Sequence, residues 1–160
     1  MKIGMAIEEL HRSENELAVE LLQVSSRHKA EHEIFHIGRD LARWSQQHVR
    51  ELAEAGQDYG LDLETEPREA TTVASAVREK GAEILGRRRE PALLLLGDLR
   101  RVYQMASGTS LDWEVLAQAA RAARAGQLLD LTKRCHPETL RQARWAKAML
   151  TEVAAQALVS

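Results

Sequence analysis

The amino-acid sequence predicts an all-α protein, and two observations support this. Alanine, leucine, glutamate and arginine are abundant while aromatic residues make up only 4% of the 160 residues; none of the four abundant types is β-branched, so each favours helix. Apolar residues recur three and four positions apart, and no segment alternates strictly as a half-buried strand would. With 44% hydrophobic and 29% charged residues, residues 1–160 are predicted to form a single helical-bundle domain.

Two amphipathic helices are predicted in the first third of the chain. The first extends from about Met5 to Ser26, and the second extends from about Glu31 to Ala55 and is followed by Gly56 and Gly60, as is usual after a helix end. The segment between them contains neither glycine nor proline. One continuous helix of about 50 residues would be exceptional, so a tight turn is favoured.

The second half of the chain is predicted to contain three long helices after a crossover. Proline at positions 91 and 137 suits the first turn of a helix, Gly108 is typical of a helix end, and Ser110 is a good helix cap. The predicted elements are a crossover over residues 57–89 with a short helix at Thr72–Leu85 and a basic triplet at 87–89, then a third helix from Glu90-Pro91 to Ser107-Gly108, a fourth from Leu111 to about Lys133, and a fifth from Pro137 to Leu158.

Composition also limits the cellular setting and the class of partner. The single cysteine, Cys135, excludes an internal disulfide and is typical of a reducing compartment. Residues 1–10 contain Glu8 and Glu9 and do not resemble a signal peptide, and the most apolar run, residues 92–96, is too short to span a membrane. The protein is therefore expected to be cytoplasmic, without a membrane partner. A net charge of −2 does not suggest a nucleic-acid partner.

The charge is distributed unevenly along the chain. Residues 1–80 carry 10 basic and 16 acidic side chains, whereas residues 81–160 carry 12 and 8. Halves of opposite charge can attract each other or a second copy of the chain, or they are simply solvated helix faces. The alanine-rich last two helices suit either an intramolecular seam or a dimer face. A homodimer is expected, and a protein partner is a further candidate.

Three histidines around the start of the second helix have the spacing of a metal site. His28, His32 and His36 lie four residues apart, and Glu33 with His36 forms Glu-x-x-His; residues three or four apart share a helix face. A helical wheel places His32 and His36 opposite the apolar stripe, with Glu33 at its margin. Glu33, His36 and His32 are therefore secondary candidates for metal ligands, on a face that is predicted to meet water.

Two polar residues interrupt the apolar stripes of the first two helices. Glu14 lies in the stripe of the first helix and His48 in that of the second, and a turn near residue 28 brings them to a similar level. A buried carboxylate is costly unless it is paired, so Glu14 is expected to meet His48 or a metal ion. Either the two are metal ligands, with Asp130 as a third, or they form a hydrogen-bonded pair that sets helix register. Tyr103, predicted to be buried, is a candidate donor to the same network.

A glutamate midway along the first helix, a histidine on the second, a long crossover over residues 57–89 and then further helices resemble the ferritin-like superfamily. The resemblance implies a ferritin-like four-helix bundle with an additional C-terminal helix and a metal site in its core. In that superfamily the second helix presents Glu-x-x-His, whereas here the matching residues are Ser45-Gln46-Gln47-His48. Neither the fourth nor the fifth helix contains Glu-x-x-His, and Glu138 on the fifth is predicted to face outward. The implied two-metal centre is therefore degenerate, with iron, manganese or zinc as candidate ions.

Three functions remain open from the sequence. The first is a ferritin-like protein that binds a metal ion through Glu14 and His48 without a complete di-iron centre. The second is a non-catalytic helical module that dimerises or docks a partner, and the third is a sensor that holds a small ligand in a cavity. The sequence contains no glycine-rich phosphate loop, no nucleophile elbow and no Cys-x-x-Cys, so enzymatic activity is not favoured. Trp113 is interpreted as a core or interface anchor.

Overall fold

The computed structural model describes residues 2–69 and 90–159, and within them the chain is helical without any strand. The predicted all-α class is therefore confirmed. The predicted short helix at Thr72–Leu85 and the basic triplet at 87–89 lie outside the described residues. The helices are α1 at Lys2–Arg27, α2 at His32–Gln57, α3 at Pro91–Ala122 and α4 at Gly126–Val159.

The predicted turn between the first two helices is present at residues 28–31. The Glu31 amide donates to the His28 carbonyl at 3.0 Å, which closes this turn. The two helices approach closely beyond it, because α2 has a glycine there: a Cβ added at Gly38 would lie 3.4 Å from the Ser25 Cβ atom. Apolar periodicity, together with the rarity of helices of about 50 residues, was enough to predict this pair of helices.

The predicted break at Ser107–Ser110 is wrong, because α3 continues through it. Glycine and serine weaken a helix by roughly 1 kcal/mol or less relative to alanine, which packing can outweigh. Here Ala106, Thr109 and Trp113 are all buried on the inner face, and the Thr109 hydroxyl donates to the Met105 carbonyl within the helix. The residue predicted to cap a new helix, Ser110, is instead a buried position in the middle of α3.

The predicted fifth helix is also not separate, because α4 continues through Pro137. A proline inside a helix costs about 3 kcal/mol, since it lacks an N–H group and crowds the preceding turn. Buried residues on both sides of it, Cys135 and Gln142 among them, hold the two halves of α4 against the rest of the protein. The additional C-terminal helix implied by the resemblance is therefore the second half of α4.

The actual break in this half of the chain falls at residues 123–125. Arg124 has a φ of 53°, in the left-handed region, and the Ala125 amide donates to the Ala120 carbonyl across it at 2.9 Å. Glycine usually occupies such a position at a helix end. Arginine at this position explains why the sequence pattern did not indicate the turn.

Side-chain contacts establish the directions of the helices. Ser13 of α1 meets Asp112 of α3, whereas Arg27 at the end of α1 meets Asp98 near the start of α3, so these two helices are antiparallel. In the same way, α2 and α4 are antiparallel, because Leu41 of α2 meets Gln142 of α4, whereas the later His48 meets the earlier Glu138. Consequently α1 and α4 point one way and α2 and α3 point the other. The end of α2 and the start of α3 therefore lie at opposite ends of the molecule.

The start of the connection after α2 packs along α1. The His11 ring nitrogen Nε2 lies 2.8 Å from the Glu64 carbonyl oxygen, and the Arg68 amide donates to the Asn15 side-chain oxygen at 2.9 Å. The chain therefore advances beside α1 as far as the described segment extends.

The core consists of two apolar clusters, one toward each end of the helices. The first apolar cluster contains Leu17, Leu21, Val24, Ile34, Leu41, Ala42, Leu95, Leu99, Val102, Ala106, Ala143 and Ala146. The second contains Ile7, Leu10, Leu52, Trp113, Leu116, Ala120, Leu128, Leu131 and Cys135. Four alanines of α3 and α4, Ala106, Ala120, Ala143 and Ala146, are thus buried within the chain, where they allow close helix packing. No helix in the described part of the chain has the length and apolarity needed to cross a lipid bilayer.

An ion-pair network joins the end of α1 to the start of α3. The Arg27 guanidinium donates to both Asp98 carboxylate oxygens at 3.0 and 3.1 Å, and His28 Nε2 lies 2.8 Å from Asp98 Oδ2. Burial alone would raise the pKa of Asp98. The hydrogen bond from His28 and the charge of Arg27 outweigh it and lower the pKa below the ordinary value.

Replacing Gly108 with alanine tests the continuity of α3. Within the described residues a Cβ at Gly108 would have no neighbour within 4 Å, and alanine is favoured over glycine inside a helix. We expect Gly108→Ala to raise the free energy of unfolding by about 0.5–1 kcal/mol in urea titration. The control Gly60→Ala should be destabilising, because Gly60 has a φ of 74°. A loss of stability in Gly108→Ala would indicate a helix break there.

The lowered pKa of Asp98 predicts a specific pH dependence of stability. The stabilising contribution is complete above the unfolded-state pKa, near 3.8, and is lost as pH falls through the lower folded-state pKa. We expect Asp98→Asn to be less stable than the parent at pH 7 and the difference to shrink toward pH 2, as measured by urea unfolding at each pH. Asp130→Asn, at an exposed aspartate, is the control. A difference that stays constant with pH would contradict this account.

Candidate functional site

A layer of polar groups lies between the two apolar clusters, and each helix contributes one residue to it, including the indole N–H group of Trp113 from the second cluster. We call Glu14, His48, Trp113 and Glu138 the polar layer. Glu14 and Trp113 are fully buried, His48 is 1% exposed, and the side chain of Glu138 is 31% exposed. The layer therefore extends from the centre of the protein to its surface.

Glu14 is the acceptor at the centre of the layer. Its Oε1 atom accepts a hydrogen bond from the Trp113 indole Nε1 at 2.7 Å and lies 2.8 Å from His48 Nδ1. The His48 and Trp113 rings meet edge to face, with centroids 5.7 Å apart. The second oxygen, Glu14 Oε2, is buried and has no hydrogen-bond partner in the described part of the protein.

His48 lies between two carboxylates. Its Nδ1 faces Glu14, and its Nε2 is 3.2 Å from Glu138 Oε1. Burial alone would lower the pKa of His48, but the charge of Glu14 and hydrogen bonds with Cys135 and Glu14 outweigh this effect and raise the pKa to about 11. At neutral pH the ring is therefore an imidazolium that donates from both nitrogens.

Cys135 borders the layer on α4. Its thiol is buried and donates to Glu51 Oε2 at 3.2 Å. Burial raises the pKa of this thiol; the opposing influence of His48 is smaller, and Glu51 raises it further. The thiol is therefore protonated at neutral pH, a state in which it is a poor nucleophile and a poor metal ligand.

An amide side chain, Gln142 of α4, lies next to the polar layer. The Gln142 amide nitrogen donates to the Ser45 hydroxyl and to the Leu41 carbonyl, both at 2.8 Å. Its oxygen, Oε1, is buried without a partner among the described residues. Ser45 is fully buried.

The structure brings Glu14 and His48 together but not Asp130 or Tyr103. Asp130 is exposed, because it directly precedes the inward-facing Leu131 and is turned about 100° away from it. Tyr103 is 36% exposed for the same reason, since it follows the buried Val102. The prediction that Asp130 and Tyr103 belong to the central site is therefore wrong. The ligand roles of Glu14 and His48 stay predictions.

The secondary candidates on α2 lie on the surface. Glu33, His32 and His36 are exposed, and the two histidine rings stack with centroids 6.3 Å apart. This placement agrees with the helical wheel. In residues 2–69 and 90–159, no three histidine, cysteine, aspartate or glutamate side chains are grouped so that they could hold a metal ion.

Sequence reasoning missed two members of the polar layer. Trp113 was interpreted as an apolar anchor, yet its indole donates to Glu14; the available signal was that a buried tryptophan N–H needs an acceptor. Glu138 was predicted to face outward, and the structure directs it toward His48. The sequence predicts that the helix of Glu138 begins at Pro137, whereas α4 begins at Gly126. The side of the helix on which Glu138 lies therefore follows from the rotation of the whole of α4.

Comparison of the chain with models of protein families, with curated proteins and with solved structures finds no match. The chemistry of the layer follows from its charges: one imidazolium lies between two carboxylates, and an indole donates to one of them. Such an arrangement stabilises a fixed geometry of the four helices. It also leaves a single buried carboxylate oxygen, Glu14 Oε2, without a donor in the described residues.

A double-mutant cycle tests whether Glu14 and His48 act as a pair. His48→Leu leaves a buried carboxylate with one donor and should cost about 3–5 kcal/mol of unfolding free energy. The double variant Glu14→Leu with His48→Leu should lose clearly less than the sum of the two single losses, because neither charge is stranded. Urea unfolding of the four proteins measures this coupling. Exposed His36→Leu is the control, with an expected change within about 0.5 kcal/mol. Additive losses would contradict the pairing.

Proposed function

We propose that this protein is a ferritin-like helical-bundle protein in which the polar layer replaces the two-metal centre of that superfamily, and that it acts as a non-catalytic binding module. The observation that carries the proposal is the engagement of His48. Its ring nitrogens face carboxylates on opposite sides, so neither nitrogen has a free lone pair for a metal ion while the ring is protonated.

The helix directions support the ferritin-like part of the proposal. Bundles of this superfamily have one long crossover connection, and here the parallel helices α2 and α3 are joined by the 33-residue segment 58–90. The polar layer also occupies the expected place, midway along the helices and between two apolar clusters. Core sites of such bundles are built from side chains on facing helices.

The donor set does not fit a two-metal centre. Such a centre takes a glutamate from each of two helices and Glu-x-x-His from each of the other two, about four carboxylates and two histidines in all. On α3 the layer has Trp113, whose indole can only donate. On α2, Ser45 stands three residues before His48, and on α4, Arg141 stands three residues after Glu138. Half of the required ligands are therefore absent from the layer.

A layer of this kind is suited to specifying how helices align. A buried ion pair is stabilising only when its partners are placed accurately, so a shifted helix register would strand a charge in the core. Single polar positions in apolar seams specify register in other helical assemblies. The layer would thereby keep the outer surfaces in a constant arrangement for binding. The homodimer expected from the charge asymmetry stays a prediction.

A second candidate function is the binding of one metal ion between Glu14 and His48. The observation that favours it is Glu14 Oε2, a fully buried carboxylate oxygen without a donor in the described chain. A metal-bound histidine usually donates its other N–H group to a carboxylate, and Glu138 is placed to accept from His48 Nε2. Iron, manganese and zinc are the candidate ions, and Glu14 and His48 would be their only protein ligands in the polar layer.

Elemental analysis of untagged protein separates the two candidates. If the polar layer replaces the metal centre, the protein should contain far less than one ion of iron, manganese or zinc per chain, even after anaerobic loading with iron. Near-stoichiometric metal that disappears in Glu14→Gln and in His48→Gln would overturn the first proposal and support the second. His36→Gln is the control, because metal lost with this exposed histidine comes from adventitious surface binding.

A further inference from the structure

A cavity of about 650 Å³ opens at the end of the molecule where α2 ends and α4 begins. This volume lies within the range of roughly 300–1,000 Å³ that is typical of small-molecule sites. The cavity is formed by the last turns of α2, the turn after it and the first turns of α4. It is separate from the polar layer and does not contain Glu14, His48, Trp113 or Glu138.

Part of the cavity wall is apolar. Leu128 and Leu131 belong to the second apolar cluster and present part of their surface to the cavity, and Ala55 and Tyr59 pack beside them. Tyr59 is half-buried and contributes an aromatic ring. This wall can shelter the hydrocarbon part of a ligand from water, which is the main source of affinity in such sites.

The charged groups around the cavity are mainly acidic. Glu51, Glu54 and Asp58 carry three carboxylates, against the single guanidinium of Arg134. Arg134 Nη2 lies 3.7 Å from Glu51 Oε1, so its charge is already directed at one of the three. Within the described residues the cavity therefore keeps an excess of two negative charges, contributed by Glu54 and Asp58.

Glu51 is held in place from inside the protein. Its Oε2 atom accepts the hydrogen bond of the buried Cys135 thiol at 3.2 Å, while its Oε1 atom faces Arg134. One side of the cavity is therefore ordered before any ligand arrives, which lowers the entropic cost of binding.

We propose that this cavity binds a small organic cation, with its ammonium group at Glu54 and Asp58 and its hydrocarbon part against Leu128 and Leu131. An anion would be repelled by the excess carboxylates, and a bare metal ion would find no group of three ligands arranged for it in the described chain. The Tyr59 ring offers a further attraction, because cations are stabilised over aromatic faces. The inference goes beyond the proposed function by naming a site and a ligand class.

The test compares three probes of similar shape and different charge: 2-phenylethylammonium, neutral 2-phenylethanol and anionic 3-phenylpropionate. Each is titrated into the full-length protein at low salt and followed by amide chemical shifts. We expect the cation to bind about tenfold more tightly than the alcohol, since it gains two partly exposed charge contacts, and the anion not to bind. The shifted amides should fall within residues 54–59 and 126–131. Equal binding of cation and alcohol, shifts elsewhere, or no binding of the cation would overturn the proposal.

Two variants and a matched control locate the charge contact. Glu54→Gln and Asp58→Asn should each weaken binding of 2-phenylethylammonium about three- to fivefold without altering the fold, because both side chains are exposed. Glu152→Gln removes an exposed carboxylate outside the cavity and should leave affinity unchanged. An equal loss in all three proteins would show general attraction to an acidic surface and would overturn the proposal. Metal content and the Glu14–His48 coupling do not depend on this cavity, so its failure leaves the proposed function standing.

Discussion

The contact between the buried carboxylate of Glu14 and the ring of His48 constrains the rest of this structure. A carboxylate without exposure to water must be compensated by charge and hydrogen bonds, and here α2 supplies the charge while α3 supplies the indole donor of Trp113. Because His48 in turn faces Glu138 on α4, one chain of contacts passes through all four helices. Any helix that slid or rotated would break it, so the two apolar clusters on either side are held in a single alignment.

The same contact decides what chemistry the centre can perform. An imidazolium between two carboxylates has its donors already committed, and α3 contributes an indole donor, Trp113, to the layer rather than a further carboxylate. The contacts that fix the geometry of the layer also occupy the groups that would otherwise bind a ligand. Glu14 Oε2, which has no donor within residues 2–69 and 90–159, is a place in the layer where another group could enter. It is also the reason that a single-ion site is a meaningful alternative.

The two ends of the molecule differ because their charges are used differently. Near the turn between α1 and α2, the Arg27 guanidinium forms an ion pair with Asp98, and His28 Nε2 lies 2.8 Å from the same carboxylate. At the other end, the carboxylates near the end of α2 outnumber the guanidinium of Arg134 among the described residues that line a cavity. The first end is therefore closed by direct side-chain contacts, whereas the second has a cavity with an excess of negative charge. Binding is better supported at the cavity than at the filled centre.

The sequence by itself determined the helical class and the inward positions of Glu14 and His48, because apolar periodicity reports which face of a helix is buried. It favoured the turn between α1 and α2 for another reason, the rarity of helices of about 50 residues. Only the tertiary structure decided that α3 continues through Gly108 and α4 through Pro137, since local preferences of roughly 1–3 kcal/mol are outweighed by packing along a whole helix. It likewise decided that the chain turns at Arg124. The membership of Trp113 and Glu138 in the polar layer was also decided by the tertiary structure. The rotation of a long helix depends on all its buried contacts together, and no short sequence motif indicates that rotation.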